Sequence, residues 1–275
     1  MKLEEAHSRA KTLFSASEIK PQKFAGIRGY SDEVIRADTA EVQRLEKKFQ
    51  QPTSEEEVAL SRAKEYGDIL EAIAFEHGEL SDWFGSNARV IKTSRYDDYI
   101  NKIDLVVETE APDHEFSDLA LGMDVTFGSF DLHKKFDAIR ANIDQGKLGR
   151  VKYFLSERPG KIFAGPLDNV PYVVVGVEIE RVKELGILWM NKKNRQLGEH
   201  PVQRILLQEA ALQLKTFADY ATRVNQPELA AILNSELTQI SALMREKREA
   251  GIETITHDNV FDEIKRNLES FNSPN

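Results

Sequence analysis

The amino-acid sequence predicts an α/β protein in which helices flank a mixed central sheet and an extended helical region follows at the C-terminus. Strand-length runs rich in β-branched and apolar residues are found between residues 88 and 177. Segments with helical periodicity lie before residue 85 and after residue 200. One further helical segment interrupts the strands. The predicted order is therefore helix, three strands, helix, two strands and then helices.

The composition excludes several classes of protein. The 275 residues include no cysteine and carry a formal net charge of −9. The lack of cysteine excludes disulfides, a thiol nucleophile and zinc–thiolate or iron–sulfur sites. With 41% hydrophobic and 30% charged residues, the chain is too apolar for general disorder and too charged for a membrane bundle. No window approaches the roughly 20 apolar residues that span a bilayer, so we expect a cytoplasmic protein without a membrane partner.

The N-terminal third is predicted to be helical. Residues 3–15 and about 36–50 have amphipathic patterns, with a loop between them. A break at residues 51–54 precedes a long helix over about 55–84. We place a domain boundary at this break and treat residues 1–54 as a helical extension. The apolar stripe of the long helix consists of Tyr66, Ile69, Leu70, Ile73, Leu80 and Phe84.

Three strands and a helix come next in the predicted order. Residues 88–93, 103–108 and 119–127 have the composition of strands, joined by a hairpin-like connection and an acidic turn. Residues 131–145 are predicted to be helical, and Gly146 is placed to end this helix. The face that we expect to be buried consists of Leu132, Phe136, Ile139 and Ile143.

Two more strands complete the predicted sheet. Residues 151–155 form the fourth strand, and the nearly unbroken β-branched run 170–177 predicts a fifth that is covered on both faces. We assign the α/β core to residues 55–190 and a helical region packed on it to residues 191–275. This region either covers the sheet or forms the interface of a homodimer. Its helices are expected at residues 201–224, 227–249 and 258–270.

Two acidic residues lie inside apolar strands. Asp104 follows Ile103, and Asp124 lies between Met123 and Val125. A buried, unpaired carboxylate costs several kcal/mol, so each acid needs a cation, a set of hydrogen-bond donors or a metal ion. Neighbouring strands are about 4.8 Å apart, so two such acids at one level can hold a single divalent ion. The alternative is that each acid lies at a strand end, solvated or paired with a nearby lysine or arginine.

The order helix, strand, strand with Asp104, strand with Asp124, helix and strand covers roughly residues 60–157. This layout resembles the core of the PD-(D/E)XK nuclease superfamily, which has a restriction-endonuclease-like fold. The resemblance implies a nuclease that holds Mg²⁺ or Mn²⁺ on Asp104, Asp124 and the carbonyl of Val125. The family's acid-x-lysine triplet corresponds here to Asp124-Val125-Thr126, so a threonine stands where the family has its lysine.

The resemblance requires a cation from elsewhere in the chain, because positive charge near the scissile phosphate orients water and stabilises the transition state. The helix over 131–145 offers two lysines. On a helical wheel, Lys135 lies about 60° from Leu132, at the flank of the buried face, and Lys134 points to solvent. We therefore predict that Lys135 reaches back over the sheet, and Lys102 is a weaker candidate.

The family also uses a glutamate from its first helix. Glu76 flanks the apolar stripe, about 80° from Tyr66, and Glu79 points further outward. Both lie closer in sequence to the first strand than Glu71 does, so Glu76 or Glu79 is predicted to complete the acidic site through water. Asp97 and Asp98 are further acids that can join the site, although Asp-Asp in a turn is also ordinary turn chemistry.

The charge distribution supports a nucleic-acid partner. Residues 134–161 include eight basic and three acidic residues, and Lys192, Lys193 and Arg195 follow Trp189. Basic residues near an aromatic ring suit a phosphate backbone, with DNA preferred to RNA. A segment of this length in a charged protein can also be basic by chance.

Two functions of different classes remain open at this stage. The first is a metal-dependent nuclease with Asp104, Asp124, Lys135 and Glu76 or Glu79 as its catalytic residues. The second is a non-catalytic module on the same fold that binds nucleic acid or protein. The threonine at position 126 favours the second function, because the family's motif has a lysine there, although the family does allow this lysine to come from elsewhere in the chain.

Overall fold

A computed structural model shows a mixed α/β fold in which helices flank the sheets, as the sequence predicts. The predicted break at 51–54 and the acidic turn at 110–115 lie outside the described residues. The described residues are 3–50, 55–109, 119–128, 131–158 and 161–272. The helices are α1 (Leu3–Ser17), α2 (Asp32–Gln50), α3 (Glu55–Leu80), α4 (Leu132–Asp144), α5 (Ile179–Met190), α6 (Asn194–Gly198), α7 (Val202–Arg223), α8 (Pro227–Glu249) and α9 (Asn259–Leu268). The strands are β1 (Ala88–Lys92), β2 (Leu105–Thr109), β3 (Leu119–Phe127), β4 (Gly149–Arg158), β5 (Lys161–Val170) and β6 (Tyr172–Val177).

The central sheet has four strands in the order β1-β2-β3-β6. The first three strands are antiparallel, and β6 runs parallel to β3. Leu105 at the start of β2 is paired with Met123 of β3. Because Asp104 precedes Leu105 and Asp124 follows Met123, this register brings the two acids to the same end of neighbouring strands. Every residue of β6 is buried, which confirms that this strand is covered on both faces.

The β4–β5 ribbon differs from the prediction, since the sequence indicated a strand over only 151–155. The ribbon is a separate two-stranded antiparallel sheet, and its second strand contains Gly165 and Pro166. Proline cannot donate a ladder hydrogen bond and is tolerated at a sheet edge, so a two-stranded ribbon accommodates a segment with loop-like composition. Helices α5 and α6 were likewise not predicted, and α3 ends at Leu80 rather than at residue 84.

The N-terminal helices pack on the α/β core. Ala6, Ala10 and Phe14 of α1 belong to the same buried cluster as α3 and the central sheet. A second, smaller cluster joins the segment after α1 to Tyr153 of β4; its other members are Ile19, Phe24, Tyr30 and Ile35. The domain boundaries at 54 and 190 stay predictions. None of the described helices is long and apolar enough to cross a membrane.

Helix α7 covers the outer edge of the central sheet with side chains that replace a neighbouring strand. Gln213 accepts a hydrogen bond from the backbone N–H of Val174 at 2.9 Å and donates one to the carbonyl of the same residue at 2.6 Å. Glu209 accepts a hydrogen bond from the N–H of Gly176 at 2.8 Å. The backbone groups of an edge strand need such partners when they are buried.

We predict that Gln213→Leu lowers the free energy of unfolding by about 1–3 kcal/mol, because it leaves the N–H and carbonyl of Val174 buried and unpaired. Leucine has a similar volume, so the loss reports the missing hydrogen bonds rather than a cavity. Urea denaturation measures the change. Gln208→Leu, at a less buried position on the same helix, is the control and is expected to have a smaller effect. Equal losses in the two variants would contradict the proposed capping of the strand edge.

Candidate active site

The two strand acids lie at one end of the central sheet, and both are buried. Asp104 is 9% exposed and Asp124 is 6% exposed. Oδ2 of Asp104 accepts a hydrogen bond from the N–H of Val125 at 2.8 Å. Nζ of Lys135 lies 2.7 Å from Oδ1 of Asp124, so this lysine does reach back from α4 to the sheet. One oxygen of each carboxylate is thereby held by a partner.

A buried lysine on β1 joins the site, and the sequence analysis missed it. Nζ of Lys92 lies 2.8 Å from Oε1 of Glu71 and 3.3 Å from Oδ2 of Asp98. The same ammonium donates to the backbone carbonyl of Asp104 at 3.3 Å. Side chains alternate between the faces of a strand, and Lys92 has the inward parity of Ala88 and Val90. A lysine at an inward position was the signal that could have identified it.

The glutamate of α3 that pairs with Lys92 beside the strand acids is Glu71. The sequence predicted Glu76 or Glu79 in this role, and both have other partners in the structure. Glu76 accepts hydrogen bonds from Arg9 and from the indole N–H of Trp189, and Oε1 of Glu79 accepts one from a backbone N–H of β1. Five residues rotate a helix by about 140°, so Glu71 and Glu76 face different neighbours on α3. Proximity in sequence to the first strand was therefore a poor guide to the helix glutamate.

The two acids of the Asp97-Asp98 pair have different roles. Asp97 is fully buried and accepts hydrogen bonds from the backbone N–H groups of Lys152 at 2.6 Å and Tyr153 at 3.0 Å. The pairing of β4 with β5 skips these two residues. Asp97 therefore accepts hydrogen bonds from the two N–H groups that have no partner in the ribbon. Ser94 and Asn101 also donate to it, each at 2.6 Å. Asp97 is a structural residue.

Asp98 instead belongs to the acidic cluster, which it forms with Glu71, Asp104 and Asp124. It lies in a π-helical turn, Asp97–Asn101, and its carboxylate is the second partner of Lys92. A π-helical turn is a local widening of the helix, and such turns are common at functional sites. Lys102 follows the turn in a left-handed conformation, with φ of 59°, and donates to the carbonyl of Tyr99 at 2.7 Å. Its ammonium group is therefore already bonded to the turn.

Burial raises the pKa of three acids of the site. Burial raises the pKa of Glu71 to about 7, even though Lys92 opposes the shift. Burial, together with the charges of Glu71 and Asp98, raises the pKa of Asp104 well above its ordinary value. Burial also raises the pKa of Asp124, against the effect of Lys135.

Asp98 differs from the other acids of the site. Although burial alone would raise the pKa of Asp98, the charges of Lys92 and Lys64 lower it. The carboxylate of Asp98 is thus the charged partner of Lys92.

The oxygen groups at this end of the sheet are of the kind that a hard divalent cation prefers. The acidic cluster consists of Glu71, Asp98, Asp104 and Asp124, and two ammonium groups, those of Lys92 and Lys135, are paired with it. The N–H and carbonyl of one strand residue point to the same neighbouring strand, so the Val125 carbonyl faces β2 as its N–H does. Mg²⁺ is often held by one or two carboxylates, with water completing its shell. Among the described residues, no group of three or more His, Asp or Glu side chains is arranged to hold a metal ion.

Most of the basic segment over 134–161 is neutralised by acids that lie outside it. The pairs are Lys134–Asp131, Lys135–Asp124, Arg150–Asp168, Lys152–Asp38 and Arg158–Glu108. Five of the eight basic residues of this segment therefore have an acidic partner. Trp189 is buried beneath Arg9, whose guanidinium lies 4.1 Å from the ring centre, so the indole is not available to stack on a base.

Comparison with known protein families, curated proteins and solved structures finds no match to this chain. Any functional assignment therefore depends on the arrangement of its own residues. Thr126, two residues after Asp124, is buried. The cations near the acids are instead Lys135 from α4 and Lys92 from β1.

We predict that Asp97→Asn lowers the free energy of unfolding by about 2–4 kcal/mol, because an amide cannot accept all the hydrogen bonds that the carboxylate receives. Chemical denaturation measures the loss. Asp137→Asn changes an exposed aspartate of α4 and is the control, with an expected change within about 0.5 kcal/mol. A loss for Asp97→Asn that is no larger than that of the control would contradict the structural role of Asp97.

Proposed function

We propose that this chain hydrolyses phosphodiester bonds in nucleic acid with a divalent ion, Mg²⁺ or Mn²⁺, held by Asp104 and Asp124. The observation that carries the proposal is the excess of buried carboxylate at the adjoining ends of β2 and β3. Burial raises the pKa of Glu71, Asp104 and Asp124, so a bound cation would compete there with protons for the same carboxylates. The resemblance to PD-(D/E)XK nucleases favours DNA over RNA as the substrate.

The roles of the residues follow from their contacts. A bound divalent ion would polarise the scissile phosphate and lower the pKa of an attacking water. Asp104 and Asp124 each have one oxygen engaged, by the Val125 N–H and by Lys135, which fixes the direction of the other oxygen. The carbonyl of Val125 is the further ligand that we assign.

Lys135 takes the place of the lysine that is absent at position 126. Its ammonium group lies 2.7 Å from Asp124, beside the proposed ion, where a positive charge would stabilise the negative charge that develops on the phosphate. Lys92 has a different, positioning role. It is 4% exposed and lies between Glu71 and Asp98, so it holds these carboxylates in place beneath the site.

A non-catalytic module that binds nucleic acid or protein is the second function to consider. It is favoured by the buried threonine at position 126 and by the ion pair that engages Lys135. Such a module would keep the fold and the acidic cluster but would not cleave the strand. The cleavage experiment separates the two functions directly.

The nuclease function predicts Mg²⁺- or Mn²⁺-dependent cleavage of DNA that the strand acids control. Asp104→Asn and Asp124→Asn are each expected to lower the cleavage rate by about 100-fold or more, because each removes a charged ligand. Gel assays on plasmid, linear and single-stranded DNA, with a chelator as the blank, measure the rates. Asp137→Asn is the control and should retain the wild-type rate.

Two adjacent lysines of α4 provide a matched pair within the same assay. Lys135→Met is expected to lower the rate by about tenfold or more, whereas Lys134→Met should not, because Lys134 is 68% exposed and pairs with Asp131. Cleavage that is unaffected by Asp124→Asn would rule out the proposed chemistry. The complete lack of cleavage with either metal ion would favour the binding module.

The raised pKa of Glu71 predicts that folding stability depends on pH, and this can be measured without any enzymatic activity. An acid whose pKa is raised by folding binds its proton more tightly in the folded state. Folding stability therefore falls as pH rises from about 4.5, the unfolded value of a glutamate, through about 7, the value of Glu71. We expect the wild type to lose about 1–3 kcal/mol between about pH 5 and about pH 8.

Mg²⁺ should reverse this loss, and more strongly at about pH 8 than at about pH 6, where protons compete for the same carboxylates. Urea denaturation with and without MgCl₂ measures the effect. Asp124→Asn should abolish the stabilisation by Mg²⁺, and Asp137→Asn should retain it. Stabilisation that is equal at the two pH values, or that persists in Asp124→Asn, would show that the ion binds elsewhere.

A further inference from the structure

Helix α8 has a glutamate in the middle of its buried face. The buried residues of this face follow each other at spacings of three or four; they are Leu229, Leu233, Glu236, Ile240, Leu243 and Lys247. This spacing keeps them on one side of the helix, which packs against α7 and β3. Glu236 is 3% exposed, so its carboxyl group lies inside the interface between α8 and the rest of the protein.

The buried carboxyl group of Glu236 lacks a compensating partner in the part of the chain that the structure describes. Its Oε1 atom is buried and has no hydrogen-bond partner there. The residues one turn away on α8 are uncharged; they are Ile232, Leu233, Gln239 and Ile240. Lys247, the other ionisable residue of the buried face, is three turns away and donates to the backbone carbonyl of Asp82. Because no described group compensates a charge at this position, the neutral form of Glu236 is the one that fits the interface.

The ionisable groups on the neighbouring elements have partners of their own. Helix α8 contacts α7 and β3, and it is hydrogen-bonded to β2 through Gln239 and Thr109. The ionisable residues of these three elements are Arg204, Glu209, Lys215, Asp219, Tyr220, Arg223, Glu108 and Asp124. Each of them is bonded to a group other than Glu236. Burial is the one cause of the raised pKa of Glu236, so none of these groups offsets it.

The proton on Glu236 links the position of α8 to pH. Burial raises the pKa of Glu236 from 4.5 to about 7 while α8 is packed, and hydration restores the ordinary value when the helix separates. The packed form therefore holds the proton more tightly, and this stabilisation is lost as pH rises from about 4.5 through about 7. Both ends of α8 adjoin residues in the left-handed conformation, Asn225 with φ of 61° and Gly251 with φ of 78°. Residues at the ends of elements are where hinge movements are absorbed.

We propose that Glu236 makes the packing of α8 a pH-sensitive switch. With a neutral Glu236 side chain, α8 stays packed on α7 and the sheet. Ionisation of Glu236 shifts the equilibrium toward a state in which α8 has separated from the core as a unit. Separation exposes the apolar face of α8, including Leu233 and Ile240, together with the surface of α7 that this face covers. Glu236 does not belong to the acidic cluster, so the switch is independent of the proposed nuclease function.

Hydrogen–deuterium exchange of the full chain tests the proposal, with the protection of backbone amides compared at about pH 5 and about pH 8 after correction for the intrinsic exchange rate. We expect the protection of α8 in the wild type to fall by roughly 10- to 100-fold, since the pKa of Glu236 differs between the packed and the separated helix. Glu236→Gln keeps the shape of a neutral glutamate and cannot ionise, so its α8 should lose less than about threefold. Glu246→Gln, at an exposed position of α8, is the control and should keep the pH dependence of the wild type.

Two results would overturn the inference. The first is a protection of α8 that does not fall with pH in the wild type, or that falls equally in Glu236→Gln, because ionisation of Glu236 would then not move the helix. The second is a protection of α8 no lower than that of β6 at about pH 8, since the whole protein rather than α8 would then open. Glu236→Leu is a further variant that cannot ionise, and it provides the same test if the glutamine variant does not fold. These measurements do not depend on whether the chain cleaves DNA.

Discussion

Uncompensated negative charge at the ends of β2 and β3 is the constraint on which the surrounding structure depends. Four carboxyl groups meet there, and the ammonium groups paired with them are those of Lys92 and Lys135. Because buried charge is costly, burial raises the pKa of Glu71, Asp104 and Asp124. Helices α3 and α4 and strand β1 each contribute a charged side chain, so their relative positions are tied to this one point.

The same region shows how two acids that are adjacent in the chain can have different partners. Asp97 takes hydrogen bonds from the irregular β4 strand, and Asp98 faces the acidic cluster. Both acids lie in one π-helical turn, and their side chains contact different parts of the protein. The turn thereby couples the two-stranded ribbon to the site.

The distribution of charge in space differs from its distribution along the chain. The basic segment over 134–161 is largely paired with acids that are distant in sequence, such as Asp38 and Glu108. Charge that is concentrated along the sequence is thus divided among ion pairs in the folded chain, and neither the net charge of −9 nor a single segment describes its arrangement.

Local patterns in the sequence determined most of the helices and strands, the fold class and the two strand acids. Periods of 2 and 3.6 residues are properties of short segments, so they can be read without knowing the neighbours. The wheel of α4 even placed Lys135 correctly, because one buried face fixed the rotation of that helix. Only the tertiary structure decided that Glu71 rather than Glu76 faces the acids, that Lys92 lies among them and that Asp97 serves the ribbon. Those choices depend on how α3 is rotated against the sheet and on contacts between distant segments, and neither is encoded in local spacing.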